Sequence, residues 1–284
     1  MIIIIAIISA LFENLFLSLF VPLPFNDTGE IRYKSYPWGT TLIILINCAV
    51  FIWWQAPDIM LMDYGNEQEY YQGFWGYIEK AYTYGAQRNL VIYQEGIGAF
   101  STFTGIFMHG SFRHLISNMI FLWAFGRRVE DACGTWRFIL FYLFVGTMST
   151  MGNNIIITED PGTSIGASGA VSGLMGAYMF LFTGTRIGCL WPSLSILRIV
   201  PVTILRWIGI KRFSRKFLVN IPAFIVLILY VGSDIFSTIE SAQTRNMPGH
   251  IDYVAHGAGF LSAITIFLFV RKDLFMRYVS GRKL

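Results

Sequence analysis

The sequence predicts an all-α, polytopic membrane protein: a bundle of six spanning helices with an additional amino-terminal helix that either crosses the bilayer or lies in its interface. Three observations point there. Of the 284 residues, 55% are hydrophobic and 13% are charged, where soluble domains carry about 25% charge, and the mean hydropathy is +0.55. The charges cluster, leaving long uncharged runs between the clusters. The positive charges also fall on alternate connections, as expected of a chain threaded back and forth through a membrane. The cysteines, Cys48, Cys133 and Cys189, lie far apart without a CxxC pair, which fits neither a disulfide framework nor a metal cluster.

Each element follows from where apolar runs begin and end. Residues 2–21 are apolar throughout apart from Glu13, Asn14 and two serines, with no basic start and no small-residue exit of the kind a cleaved signal needs. Pro22 and Pro24 stop this segment, and a polar stretch, 26–39, completes an amino-terminal unit of residues 1–39. The membrane domain is expected over 40–271, with its first span at Thr40–Ala56, near the short limit for crossing. Residues 57–100 form a long loop with six acidic residues against two basic ones and many aromatics, mostly tyrosines with Trp75; Tyr and Trp favour the headgroup region. Further spans are expected at about 106–126, 136–157, 168–185, 217–236 and 251–270, and a basic tail occupies 272–284.

Orientation follows from the positive charge. If segments 26–39, 127–137, 186–216 and 271–284 are cytoplasmic, they hold 17 of the 21 Lys and Arg; the opposite loops hold Lys80, Arg88 and Arg245, and Arg113 sits near a helix mouth. Spans two, four and six then run inward, and each has polar residues in its outer half. Counting back from the first cytoplasmic arginine at ~1.5 Å per residue puts Ser168 about 27 Å, His256 about 22 Å and His114 about 20 Å from the inner face. In a hydrocarbon core of about 30 Å, all three sit just below the outer face.

The residue types at that level suit acyl transfer. In Gly166-Ala167-Ser168-Gly169 a hydroxyl stands where a polar loop becomes an apolar helix. Ser168, Ser172 and Gly176 recur at spacing four, which together with Gly169 gives a small helix face that a neighbour can approach closely. His256 lies in Ala255-His256-Gly257-Ala258-Gly259, where Gly257 and Gly259 allow close packing and the imidazole can take the serine proton and later release it. His114 and Asn118, spaced i and i+4, point from one helix face. With the Ser168 backbone N–H at a helix amino terminus, they are donors for an oxyanion. Taken singly each residue has a plainer reading: a membrane-helix serine bonds back to a carbonyl, and a lone His or Asn joins helices. His109 and His250 read as mouth or loop residues, the first with a site role as the alternative; Asp252 reads as a charge at a helix terminus, or as a partner orienting His256 if the helix starts early; and Arg245 has no argued role.

Together, HGSFRHLISN (His109, His114, Asn118), the GRRVEDACG turn, GASG with Ser168 and AHGAG with His256 resemble, in order, spacing and span placement, the rhomboid intramembrane serine proteases. The resemblance covers roughly 100–270. It implies a six-helix core, a Ser168–His256 dyad without an acidic third member, and an oxyanion site from His114 and Asn118. It implies single-pass transmembrane proteins as substrates, cleaved in or near the membrane segment, with the lipid bilayer as surroundings. No cofactor, metal or nucleic acid is expected. The expected location is the cell membrane, with the site opening to the non-cytoplasmic side. Two departures stand out: Ser172 occupies the position where many relatives carry an aromatic that packs on the histidine, and the loop 57–100 lacks the Trp-Arg pair common in the family. The alternative is a rhomboid-like pseudoprotease that binds membrane clients without cutting them. A transporter fits less well, because the polar cluster sits near one face.

Overall fold

In the computed structural model the described residues are 2–17, 22–27, 36–156, 163–182, 184–193, 218–230 and 253–266, with the single positions 203 and 232. The expected spans at 217–236 and 251–270 therefore lie partly, and His250, Asp252, Arg245 and the basic tail wholly, outside the described residues.

The described chain is mostly helical. Helix α1 (Ile2–Leu17) is followed by a short strand, β1 (Leu23–Asp27). Helix α2 (Trp38–Val50), a π-helical stretch (Phe51–Gln55) and α3 (Ala56–Tyr64) form one 27-residue rod. Pro57, in the first turn of α3, has no N–H to give a carbonyl one turn back, and the wider π turns lie directly before it. Part of the expected loop 57–100 is helical: α4 (Glu67–Tyr84) starts with a reciprocal Asn66/Glu69 capping box, and α5 (Arg88–Tyr93) follows. Lys80 ties α4 to α3 through Asp58 at 2.7 Å.

The second expected span begins later than residue 106. Short helical turns, including α6 (Ser101–Thr104), end at Phe107, and Met108 is extended. The long helix starts when Ser111 accepts the His114 N–H at 3.1 Å as an N-cap. It runs through α7 (Phe112–Phe121), a second π stretch (Leu122–Gly126) and α8 (Arg127–Cys133). Helix α9 (Thr135–Ile156) agrees with its expected bounds, and α10 (Ser168–Leu181) begins on the serine itself. Residues 223–230 form α11, and Tyr253–Thr265 form α12.

Among the described residues, two helices are long and apolar enough to cross a membrane, Trp38–Tyr64 and Thr135–Ile156; Ile3–Phe16, Ser168–Leu181 and Val254–Thr265 are shorter apolar helices. The outside of the bundle is apolar, with Phe12, Trp53, Trp136, Leu140 and Leu261 all more than 60% exposed. Water does not favour so much large apolar surface, whereas lipid does.

The sequence reading contains no strand, but three occur. β1 pairs antiparallel with β2 (Arg186–Leu190), which pairs antiparallel with β3 (Val219–Pro222). Leu23 faces Leu190 and Arg186 faces Pro222, with a bulge between Pro24 and Asn26. The pairing joins segments about 160 residues apart in the chain, so no local pattern announced it. Helix α1 packs with Phe51, Ile59, Phe112 and Leu115, so the amino-terminal segment is built into the bundle at both ends.

One carboxylate fastens the far side. Glu130 accepts the Gly39 and Thr40 amides at 2.8 and 2.7 Å and the Thr40 and Thr135 hydroxyls at 2.8 and 2.7 Å. It thereby satisfies free amides at the start of α2 and a hydroxyl at the start of α9. The main core lies beyond it, around Phe125, Phe138, Tyr142, Leu174 and Tyr178.

Candidate active site

The loop before Ser168 is pinned on both sides. Ala86 and Ser164 exchange backbone hydrogen bonds at 3.0 and 2.8 Å, and the Gly166 N–H donates to the Gly105 carbonyl at 2.9 Å. The segment between α3 and α7 therefore holds the serine loop. Gly166 has φ +123°, a conformation that side-chain-bearing residues rarely adopt. A Cβ there would also meet the His114 ring, 2.8 Å from both Cε1 and Nε2, and would lie 3.6 Å from the Ser168 Oγ. The hydroxyl and the His114 Nε2 thus flank one small space that only glycine leaves open.

Ser168 is the first residue of α10 and is half-buried. Its hydroxyl makes no hydrogen bond among the described residues, whereas Thr150 and Ser262 bond back to carbonyls four residues earlier. The plainer reading of a back-bonded serine does not describe it, and neither is a direct bond to His256 present.

His256 reaches this level because α12 docks on α9 and α10 at very short range. A Cβ at Gly259 would overlap the Gly169 carbonyl, and one at Gly169 would overlap the Ser149 side chain. A Cβ at Gly176 would stand 3.0 Å from the Phe260 carbonyl. Ser149 donates to the Ala255 carbonyl at 2.6 Å, fixing the turn that carries His256. The backbone neighbours of Ser168 and His256, Gly169 and Ala255, therefore face each other. His256 and His114 lie within electrostatic reach of one another.

The packing face differs from the expected one in two respects. Closest approach runs through Gly169, Gly173 and Gly176, a stripe that includes Gly173, which the sequence reading missed; Ser172 is buried beside it. Gly257 is a correction: it is exposed and a Cβ there meets nothing among the described residues. Two residues before Gly259 is more than half a turn around the helix, so the two glycines cannot serve one face.

His114 and Asn118 both lie on α7, as their spacing required. Asn118 is 6% exposed, and its amide nitrogen has no acceptor among the described residues. The Gly110 N–H points to Nδ1 of His114 at 3.5 Å, the long limit of a hydrogen bond. An accepting Nδ1 leaves the proton of the neutral ring on Nε2, the atom beside Gly166 and Ser168. His109 lies in the loop between Phe107 and Phe112, as expected, but fully buried, its ring edge-on to His114 with centroids 5.0 Å apart. The arrangement thus holds a hydroxyl, an imidazole on the facing helix, and the His114 ring beside the hydroxyl, residue types that suit attack on a carbonyl.

The family model for the Rhomboid domain matches residues 98–273. The chain is similar to "Rhomboid-like protein 11, chloroplastic" of Arabidopsis thaliana, 34% identical over 31% of this chain and 31% of that one. Two proteins of Bacillus subtilis (strain 168) are also similar: "Rhomboid protease GluP", 32% identical over 38% of this chain and 20% of the relative, and "Putative rhomboid protease YdcA", 36% over 30% and 43%. The matched stretch covers less than half of the length of each of these relatives. The chain belongs to the rhomboid family and is a membrane protein.

Proposed function

We propose that the chain is an intramembrane serine endopeptidase that cleaves single-pass transmembrane proteins in or near their membrane segment. The observation that carries the reading is the shared space at Gly166, with Ser168 Oγ on one side and a donor-form His114 Nε2 on the other. Membership of a family with protease-named relatives supports it.

In this reading the Ser168 hydroxyl gives its proton to His256 as Oγ attacks the scissile carbonyl. The carbonyl oxygen takes the negative charge and accepts from the His114 Nε2–H, the Asn118 amide and the Ser168 backbone N–H. Collapse of the adduct breaks the C–N bond, the His256 proton passes to the leaving amine, and an acyl-enzyme ester remains. Water then attacks the ester, its proton goes to His256 and on to Oγ, and the new carboxyl end is released. No metal or cofactor takes part. A substrate helix must unwind to present its bond, since helical backbone in lipid is internally paired. Gly, Pro or small residues near the cut are therefore expected.

Six spans form the proposed topology, with α1 as a further spanning or interfacial helix. The charge bias supports a site opening to the non-cytoplasmic side, and the cell membrane is the proposed location. The test is cleavage of a helix-destabilised single-pass substrate by the purified protein in proteoliposomes. Cleavage by the wild type that Ser168→Ala abolishes, with the variant still folded, supports the reading. Binding of the substrate without cleavage points to a pseudoprotease.

A further inference from the structure

Behind His114 lies a buried polar pair that the proposed reaction does not use. Gln55 ends the π-helical stretch and is 0% exposed, and its Oε1 accepts the His109 N–H at 3.0 Å. His109, equally buried, follows Met108 in the short connection between the turn Gly105–Phe107 and α7. Its ring is held edge-on between Phe51, at 6.4 Å between centroids, and His114, at 5.0 Å. Gly110, the next residue, donates its N–H to Nδ1 of His114. Apart from His114 itself, Gln55 is the one side chain from outside this connection that holds its backbone by a hydrogen bond among the described residues. The position of the Gly110 N–H therefore depends on it.

A role in packing alone does not account for the pair. The Gln55 amide nitrogen and one His109 ring nitrogen are buried without partners among the described residues. Each such group costs about 1–3 kcal/mol, so an apolar pair would fill the space at lower cost. What the glutamine supplies is a fixed peptide orientation at Gly110, and through it the choice between two tautomers at His114. Which ring nitrogen of a neutral histidine carries the proton is set by the bond that the other one makes. Only the Nε2–H form points a donor at the space beside Ser168.

We infer that Gln55 is a positioning residue: by holding the His109 amide it places the Gly110 N–H on His114 Nδ1, and so keeps His114 in the tautomer that donates toward Ser168. The kinetic part of this inference rests on the proposed protease function; the tautomer part does not.

The test uses the full chain labelled with ¹⁵N-histidine, whose four histidines give a spectrum assignable by single substitutions. Long-range ¹H–¹⁵N spectra in micelles at mildly alkaline pH report which nitrogen of His114 is protonated. Wild type is expected in the Nε2–H form. Gln55→Met, of similar volume, is expected to mix the two tautomers and to lower kcat about tenfold with KM unchanged. That is less than the 10²–10³ lost when an oxyanion donor is removed outright. Gln55→Glu keeps the acceptor and is expected to restore both readouts. Should Gln55→Met not fold, Gln55→Asn withdraws the acceptor by one methylene and is read the same way. A wild-type His114 in the Nδ1–H form, or one unchanged in the Met or Asn variant, overturns the inference. The predicted tautomer change in a protein that cleaves nothing supports Gln55 as the positioning residue and rejects the protease function instead.

Discussion

Adding one methyl group at Gly166 tests the shared space directly. The new Cβ would lie 2.8 Å from both Cε1 and Nε2 of His114, where ordinary contact begins at 3.4 Å, so the ring must retreat by at least a few tenths of an ångström. Gly166 cannot turn away to spare it, because its amide is bonded to the Gly105 carbonyl. A non-glycine residue at φ +123° carries in addition roughly 1–3 kcal/mol of backbone strain. Misplacement of a catalytic group by about 1 Å can cost 10²-fold, and loss of one oxyanion donor costs 10²–10³. Gly166→Ala is therefore expected to lower kcat by about 10². Its stability should fall by no more than the strain, roughly 1–3 kcal/mol. The assay is initial-rate cleavage of a helix-destabilised substrate in proteoliposomes, with thermal unfolding in detergent alongside. Gly184→Ala, whose Cβ meets nothing among the described residues, is the silent control. A Gly166→Ala protein with kcat within a factor of about two of wild type would refute the reasoning, because the space would then not matter to the rate.

Other substitutions probe the frame around the site. Gly259→Ala is expected to force α12 off the Gly169 carbonyl and abolish cleavage, while Gly257→Ala on the opposite face leaves it unchanged; equal effects in paired rate measurements would contradict the docking geometry. Glu130→Ala leaves two buried amides unpaired at the start of α2 and should cost about 3 kcal/mol. Denaturant unfolding in micelles would measure that loss. Asn118→Leu removes a buried amide that is unpartnered within the described residues, so cleavage should drop by about 10² without loss of stability. A stability loss at full activity would make Asn118 a packing residue.

How much of this was legible in the sequence depends on how local the signal was. Depth counting from the arginines put Ser168, His256 and His114 at one level, and the structure puts Gly166 between two of them and sets the neighbours of Ser168 and His256 face to face. The i, i+4 spacing of His114 and Asn118 survived because both lie on one uninterrupted helix. Two features were written locally and passed over. Ser111 is an N-cap that starts α7 six residues later than the apolar run suggests, and Asn66 with Glu69 spells a capping box inside the supposed loop. Gln55 was out of reach, since it sits in an apolar run and its partner is 54 residues away. The same holds for the sheet, whose strands meet only through the tertiary fold. Gly257 misled for another reason: two glycines at spacing two suggest one close-packed site, but a helix sends them to different faces.

The reactivity of Ser168 is the most direct measure of the account. A fluorophosphonate probe should modify the wild-type protein in native membranes, and peptide mass spectrometry should locate the adduct on Ser168. Labelling should disappear in Ser168→Ala and fall steeply in His256→Ala. An adduct on some other residue, or a wild-type protein that takes no label while its transmembrane substrate is still cut, would contradict a serine-centred chemistry.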